Sequence, residues 1–172
     1  MDKPSEKPLT KNEFMKAEKP DLSGTIRETL ANPAADRFSG DDEQFIKFHG
    51  IYQQDDRDKR KVAKEYSVMV RTRQTGGIVP AAQYLVYDEL SGRFANGTLR
   101  ITSRQTFQFH GVAQQGVGSL IKSINEALSS TLATCGDVNR NVTAPSNPAV
   151  DEVTQQIEDD AFTLTRALLP KT

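Results

Sequence analysis

Arginines on β-prone segments are the side chains of this sequence best suited to chemistry. Arg71 and Arg73 are two residues apart, so we expect their side chains to leave the same face of a strand. Arg100 and Arg104 follow on a second alternating run and are in line if that strand stays regular, and Arg140 lies in a polar segment. Guanidinium groups stay charged and bind carboxylates and oxyanions through a two-pronged fork. Converged on one sheet face, they would suit a ligand with many carboxylates or a small oxyanion.

Two other interpretations of these arginines remain open from the residues alone. The arginines could decorate a solvated face and pair with some of the 23 Asp and Glu residues. With Phe107 and Phe109, they could also form a single-stranded nucleic-acid platform that stacks bases on aromatic rings. The formal net charge of −1 argues against the nucleic-acid platform, because it supplies no general basic field.

Histidine, cysteine and glycine give weaker signals than the arginines. His49 and His110 each stand between a phenylalanine and a glycine, without cysteine or carboxylate at metal-ligand spacing, so we predict no metal site. Cys135 is predicted to be a small buried residue, and one cysteine can form neither a disulfide framework nor an iron–sulfur cluster. The pair Gly76-Gly77 indicates a turn, since no phosphate-binding glycine pattern surrounds it.

Apolar periodicity predicts the elements that must position these residues. The predicted helices start at Thr10 and end before Pro20, cover Thr25–Leu30, run from Pro80 to about Gly92, and cover Val117–Ser130 and Val150–Leu168. The predicted strands are Phe45–Tyr52, Tyr66–Arg73, a kinked strand over Thr98–Gly111, and Leu132–Val142. Met1–Leu9 is predicted to be a disordered leader and Gln53–Lys61 a polar loop or exposed helix edge. This order predicts an α+β fold of ferredoxin-like type, with helices on one sheet face and the other face free.

Targeting signals do not stand out in the chain. Met1 to Lys19 lacks the apolar core of a signal peptide, and no apolar run approaches the length of a membrane span. The single cysteine fits a reducing compartment. We therefore expect a soluble cytoplasmic protein without a membrane partner.

Four sequence strings, taken in order and spacing, exceed what composition alone supplies. They resemble the haemoprotein (beta) subunits of assimilatory NADPH-dependent sulfite reductases, in the nitrite/sulfite reductase family. The strings are FHGIYQQDDRD (48–58), VRTR (70–73) followed by Gly76-Gly77, RITSRQTFQFHG (100–111) and DVNRNV (137–142). The resemblance covers roughly Thr10 to Thr172.

The resemblance implies a ferredoxin-like half-domain and a specific redox reaction. Members of this family reduce sulfite to sulfide by six electrons, in sulfate assimilation and cysteine biosynthesis, at a sirohaem coupled to a [4Fe–4S] cluster. Matching positions imply that Arg71 and Arg140 hold sulfite and stabilise the charge that builds as sulfur–oxygen bonds break. They also imply a set of sirohaem-binding residues: Arg100, Arg104, Gln108, His110, Tyr52 and Gln54.

Departures from the family pattern qualify what this chain would do. The family's cluster cysteines and its pair of sulfite-site lysines match no position here, so we expect a partial sirohaem site and no cluster ligands. The expected organisation is an N-terminal extension, partly disordered, over 1–40, a half-domain over 41–133 and the start of a sirohaem/cluster domain over 134–172. We expect an enzyme fragment that is inactive alone, which would meet a flavoprotein (alpha) subunit and a separate chain carrying the missing domains. A non-catalytic remnant is the alternative.

Overall fold

The computed structural model describes residues 8–55, 61–62, 64–136, 138–146 and 151–170. Its helices are α1 (Lys11–Glu18), α2 (Ile26–Ala31), α3 (Asp42–Phe48), α4 (Ala81–Phe94), α5 (Val117–Glu126) and α6 (Glu152–Ala167). Its strands are β1 (Ile51–Asp55), β2 (Tyr66–Arg71), β3 (Leu99–Ile101) and β4 (Phe107–Val112). Most of the predicted leader, and residues 56–60 of the predicted polar loop, lie outside the described residues; Gln53–Asp55 belong to β1.

The strands form one antiparallel sheet in the order β1-β2-β4-β3. Val70 of β2 lies opposite Ile51 on one side and Phe109 on the other, and Leu99 of β3 lies opposite Phe109. These apolar side chains pack with α4 and α5 in the main core. The residues that α4 and α5 contribute to that core are Tyr87, Leu90, Val117, Leu120 and Ile124. The predicted α+β ferredoxin-like fold, with its helices on one sheet face, is confirmed.

Most predicted helices are confirmed, with shifted ends. α1 and α2 lie where the sequence places them, and α4 continues to Phe94. α5 ends at Glu126, four residues before the predicted Ser130, because Leu128 has a left-handed backbone with φ of 56°. Leu128, which the predicted helix Val117–Ser130 includes, therefore lies outside α5 and is 94% exposed. No helix among the described residues is long and apolar enough to span a membrane.

The predicted face of α6 is only partly right. The sequence places Val153, Ala161 and Leu164 on one buried row, with two further apolar residues. In the structure Ala161 is buried beside Thr165, whereas Val153 and Leu164 are exposed. α6 packs mainly against the turn at Thr75–Gly77, so only a narrow strip of the helix is covered.

The predicted strand Phe45–Tyr52 is wrong over its first half. Asp42–Phe48 form helix α3, whose start is stabilised by Ser39: its Oγ accepts from Asp42 N at 3.1 Å and its carbonyl accepts from Glu43 N at 3.0 Å. The acidic residues beside the helix start also favour the helix. Gly50, with φ of 76°, then reverses the chain into β1.

The predicted single strand over Thr98–Gly111 is two strands joined by a tight turn. Thr102 and Thr106 close this turn, with Thr102 N donating to Thr106 O at 2.9 Å and the two hydroxyls 2.7 Å apart. Gln105 adopts a left-handed backbone with φ of 56°. The polar run between the two apolar segments is thus a hairpin turn, and β3 pairs with β4.

The predicted strand Leu132–Val142 does not form. Three successive carbonyls of this segment accept hydrogen bonds from arginine side chains: Leu132 O and Ala133 O from Arg73, each at 3.0 Å, and Thr134 O from Arg71 at 3.2 Å. An isolated bridge between Arg73 and Ser130 is the nearby β contact. These side-chain hydrogen bonds hold the segment in an irregular conformation.

Candidate anion-binding site

One face of the sheet, opposite α4 and α5, carries most of the predicted site residues. We call it the polar sheet face, and it consists of Tyr52 and Gln54 from β1, Arg71 from β2, Arg100 from β3, and Gln108 and His110 from β4. Gln108 lies opposite Arg71 on one neighbouring strand and opposite Arg100 on the other. The register therefore places one amide between two guanidinium groups.

Gln108 links Arg71 to His110 through hydrogen bonds. With its amide oxygen turned toward Arg71, Gln108 accepts from Arg71 Nε at 3.1 Å and from Arg71 Nη2, and its nitrogen donates to His110 Nε2 at 3.2 Å. This orientation satisfies both ends of the amide, whereas the opposite orientation turns the amide nitrogen toward the guanidinium donors. An unprotonated His110 Nε2 is the acceptor in this arrangement.

The environment of His110 favours its neutral form. Burial lowers the pKa of His110 below 6.5, and the positive charges of Arg100 and Arg71 lower it further. Gln108, between the two arginines, can donate to the neutral ring. The site therefore presents cationic guanidinium groups beside a neutral imidazole near pH 7.

Arg104 and Arg140 line a second, open groove of about 570 Å³, which we call the Arg140 groove. Arg104 lies in the β3–β4 turn, and Arg140 in the segment after Gly136. Asn141 holds the two pieces together, since its Nδ2 donates to Arg104 O at 2.8 Å and to Gln74 O at 2.6 Å. Asn141 thereby fixes Arg140 beside the turn that carries Arg104.

The polar sheet face and the Arg140 groove share one stretch of backbone. Arg71 donates to Thr134 O, and the same segment continues through Gly136 to Arg140. Asn141 was not predicted as a site residue; its only sequence signal is its place in the DVNRNV string. Its Oδ1 is buried without a hydrogen-bond partner among the described residues.

Arg73 differs from the other arginines in what its guanidinium binds. It donates to the carbonyls of Leu132, Ala133 and Asn139, at 3.0, 3.0 and 3.3 Å. Burial lowers the pKa of Arg73. β2 ends at Arg71, and the expected pairing of Arg71 with Arg73 on one ligand-facing strand does not occur. Arg73 instead anchors the 132–139 segment.

The remaining arginines of the site lack acidic partners in the part of the chain that the structure describes. The ion pairs found there involve other residues: Lys11–Asp41, Lys16–Glu13, Arg37–Asp36, Arg93–Glu89 and Lys122–Glu126. Within the described residues, pairing with Asp and Glu therefore does not account for the placement of Arg71, Arg100, Arg104 and Arg140. No carboxylate among the described residues neutralises their charge.

The aromatic residues needed for a nucleic-acid platform point the wrong way. Phe109 is fully buried and Phe107 is 9% exposed, and both pack against Tyr87 of α4. Stacking on bases requires rings on the open sheet face. That interpretation of Phe107 and Phe109 is therefore wrong.

No cluster of three or more His, Cys, Asp or Glu residues within the described ranges could hold a metal ion. Cys135 is buried, as predicted. His49 Nε2 donates to Leu22 O at 2.9 Å, which ties it to the N-terminal segment.

Sequence and structure comparisons agree on the origin of this arginine-bearing domain. A sequence model of the nitrite/sulfite reductase ferredoxin-like half domain matches residues 60–127. "Sulfite reductase [NADPH] hemoprotein beta-component" of Staphylococcus haemolyticus is 43% identical over 173 residues, covering 97% of this chain. The protein of the same name from Chromohalobacter salexigens is 45% identical over 170 residues, covering 95% of the chain. The chain belongs to the nitrite/sulfite reductase family.

A solved structure of the family has the same fold. The Mycobacterium tuberculosis NirA protein superposes with a TM-score of 0.74 at 26% identity, covering 96% of this chain and 33% of that one. The chain spans 30% of the length of each of the two sulfite reductase relatives. The family is thus settled, and the reaction of the longer relatives applies to this chain only as a proposal.

Proposed function

We propose that this chain supplies the sirohaem- and sulfite-binding face of a sulfite reductase haemoprotein. One observation carries the proposal: Arg71, Arg100, Arg104 and Arg140 lie on two adjoining surfaces without a carboxylate partner among the described residues. A ligand with several carboxylates would neutralise this charge. A small oxyanion would neutralise the positive charge that this ligand leaves uncompensated.

The donor set of the chain fits sirohaem but not an iron–sulfur cluster. Guanidinium and amide donors on an open face match the carboxylate rim of this tetrapyrrole. When bound, sirohaem supplies the iron at which electrons reach sulfite. A [4Fe–4S] cluster needs four thiolates, and the sequence has one cysteine.

Each site residue has a proposed role. Arg100 and Arg104 bind sirohaem carboxylates, and Gln108, His110, Tyr52 and Gln54 contact the cofactor from the sheet. Arg71 and Arg140 bind sulfite oxygens and stabilise the negative charge that grows as sulfur–oxygen bonds break. Gln108 fixes the Arg71 guanidinium through its hydrogen bonds, which preorganises it for this task.

The chain would act as one part of a larger enzyme. Its relatives carry the name of a hemoprotein beta-component, which implies a flavoprotein alpha subunit as the electron donor. We propose that cluster ligands come from further sequence, in the same polypeptide or in a separate chain. The chain alone would bind anions and reduce nothing.

Reconstitution with sirohaem tests the proposal. The chain is titrated with sirohaem while the absorbance spectrum is recorded, and saturable binding is expected. Arg100→Gln and Arg104→Gln should each weaken binding about tenfold, the cost of losing a charge-assisted hydrogen bond. Arg93→Gln, on the exposed side of α4 and paired with Glu89, is the matched control and should change nothing. Failure to bind, or equal binding by all variants, would refute the proposal.

A further inference from the structure

A small cavity lies between α1 and α3. Of the residues assigned to sirohaem, Tyr52 alone is among the described residues that line it. It measures about 140 Å³ and is the more enclosed neighbour of the Arg140 groove. Its lining residues are Asn12, Met15, Lys16, Gln44, Phe45, Lys47, Phe48, Tyr52, Gly136 and Arg140. We call it the α1–α3 cavity. Its volume is below the ~300 Å³ at which pockets for drug-sized ligands begin, so a tetrapyrrole does not fit.

Three cations and no carboxylate occur among the described residues that line this cavity. Lys16, Lys47 and Arg140 contribute the positive charge. Lys16 Nζ lies 5.6 Å from the ring centre of Phe48, and Lys47 Nζ lies 5.3 Å from that of Tyr52. Aromatic rings thus hold both ammonium groups against the cavity wall. Lys16 shares its charge with Glu13, 2.7 Å away, so Lys47 and Arg140 supply most of the positive potential. In a partly enclosed space that potential is stronger than at an open surface.

Each cation keeps hydrogen-bonding capacity for a ligand. Lys47 donates to Gln44 Oε1 at 3.1 Å, and Lys16 pairs with Glu13 at 2.7 Å, so each ammonium group has further protons to donate. Arg140 makes two long contacts, both 3.4 Å, to the single carbonyl of Gly136. Most of the donors of its guanidinium therefore have no partner within the described residues.

Gly136 and Arg140 line both the α1–α3 cavity and the Arg140 groove. The Arg140 side chain therefore stands in the wall between them. An anion in the cavity would lie against the same guanidinium that faces the groove. This shared wall gives the cavity a direct connection to the proposed sulfite site.

We propose that the α1–α3 cavity is a capture site for a small oxyanion, from which the anion passes Arg140 into the groove. The chemistry it recognises is that of a compact oxyanion such as sulfite, sulfate or phosphate. Its assignment to sulfite rests on the proposed function, whereas binding of an oxyanion does not. The proposal gives Lys16 of α1 and Lys47 of α3, on helices that precede the sheet, a role in anion binding.

Titration of the isotope-labelled chain with sodium sulfite and, separately, with sodium sulfate and sodium phosphate tests the proposal by amide and side-chain NMR. Saturable shifts are expected at Gln44–Phe48 and Gly136–Arg140, and sodium chloride at equal ionic strength should not reproduce them. Tighter binding of sulfite than of sulfate or phosphate would show that the cavity selects sulfite. Equal binding would show a general oxyanion site and would remove the sulfite assignment.

Lysine variants decide whether the cavity is the site. Lys16→Gln and Lys47→Gln should each weaken oxyanion binding about tenfold, and Lys47→Arg, which keeps the charge, should restore it. Lys122→Gln, on the exposed side of α5, removes the same charge elsewhere and should have no effect. Shifts that do not saturate, that chloride reproduces, or that survive both glutamine variants would overturn the proposal.

The sirohaem titration keeps this test separate from that of the proposed function. If Lys16→Gln and Lys47→Gln leave sirohaem binding intact while oxyanion binding falls, both proposals stand. If sirohaem fails to bind but the oxyanion binds in the cavity, only the proposed function is lost. If sirohaem binds and no oxyanion does, only the capture site is lost.

Discussion

At the scale of single residues, alternation along strands is only a partial guide, because Arg71 and Arg73 have the right spacing but β2 ends at Arg71. Tyr52 and Gln54, like Gln108 and His110, are two apart, and all four lie on the polar sheet face as that spacing requires. What alternation could not give is the pairing between strands. The position of Gln108 opposite both Arg71 and Arg100 follows from the sheet register, which depends on the hairpin turn and a bulge in β2–β4.

His110 should make the chain less stable as the pH falls below neutrality. Its pKa in the folded chain is lowered below the ordinary value of 6.5, so the unfolded chain takes up a proton that the folded chain resists. The stabilisation is complete above pH 6.5 and is lost as the pH falls through the folded pKa. Urea unfolding from pH 8 to pH 5 should show this slope, and His110→Gln should flatten it.

Charge removal separates the causes of this pKa shift. Arg100→Gln should raise the pKa of His110 toward 6.5 in an NMR titration of the imidazole, because the positive charge nearby opposes protonation. Arg93→Gln, which changes the same charge on α4, should leave it unchanged. An identical pKa in all three proteins would mean that burial alone sets the shift.

Gly50 should tolerate no side chain. Its φ of 76° disfavours other residues, and an added Cβ would lie 2.8 Å from Arg71 O and still closer to Thr131 O. Gly50→Ala should therefore lower the free energy of unfolding by about 3 kcal/mol, through backbone strain and overpacking. Gly118→Ala is the control: it lies in α5 with nothing within 4 Å of the new Cβ. It should stabilise the chain slightly, by roughly 0.5–1 kcal/mol. Denaturant unfolding measures both.

At the scale of elements, local pattern succeeded wherever one face of a helix meets the sheet. α4 and α5 were predictable because proline, glycine and apolar spacing agree. The failures have tertiary causes. α3 contains the β-prone residues Phe45 and Ile46 but is held by Ser39 and by packing on β1. The segment 132–142 is held in an irregular conformation by the side chains of Arg71 and Arg73. A single sequence does not display such long-range partners.

A buried polar network ties β2, α4 and the end of α5 together. Gln74 Nε2 donates to Tyr87 Oη at 2.8 Å, Tyr87 Oη donates to Ser129 Oγ at 2.5 Å, and Thr72 Oγ1 donates to Gln74 Oε1 at 2.8 Å. Burial raises the pKa of Tyr87. The network fixes the positions of Thr72 and Gln74, and so the path of the chain beyond Arg71.

Tyr87→Phe should destabilise the chain by about 1–3 kcal/mol, because Gln74 Nε2 is left buried without an acceptor. Tyr84→Phe on the same helix is the matched control. The Tyr84 side chain is 45% exposed and its hydroxyl makes no hydrogen bond within the described residues, so its loss should change stability by less than about 0.5 kcal/mol. Equal effects in thermal or urea unfolding would show that the network carries no stability.

At the scale of the whole molecule, the N-terminal segment belongs to the packed structure. Phe38 is 2% exposed and lies in the main core, and its backbone N donates to Gln53 Oε1 at 2.6 Å. Leu22 packs with Phe45 and Phe48 in a second cluster. Because α1 and α3 also wall the cavity beside Arg140, this segment builds part of the proposed anion route. Sequence reasoning treated it as an extension, since its apolar residues are scattered and show no period.

Stability should be unevenly divided between the sheet domain and α6. α6 buries Ala161 and Thr165, while α5 buries Val117, Leu120 and Ile124 in the main core. Few buried contacts mean that a helix opens locally without global unfolding. Amide hydrogen exchange under native conditions should therefore be at least several-fold faster in α6 than in α5.

Removing the α6 cap should sharpen this difference. Asp151 caps the helix by accepting from Thr154 N at 2.7 Å, and this hydrogen bond lowers the pKa of Asp151. Asp151→Ala should speed exchange in α6 and leave the protection of α5 unchanged, because the two helices open independently. If the substitution changed the amide exchange rates of both helices by the same factor, α6 would belong to the same cooperative unit as the sheet. Leu168, which lines the Arg140 groove just beyond α6, would then be as firmly placed as the β3–β4 turn opposite. Independent opening instead makes the α6 side of the groove adjustable, which suits the proposal that this surface binds a ligand as large as a tetrapyrrole.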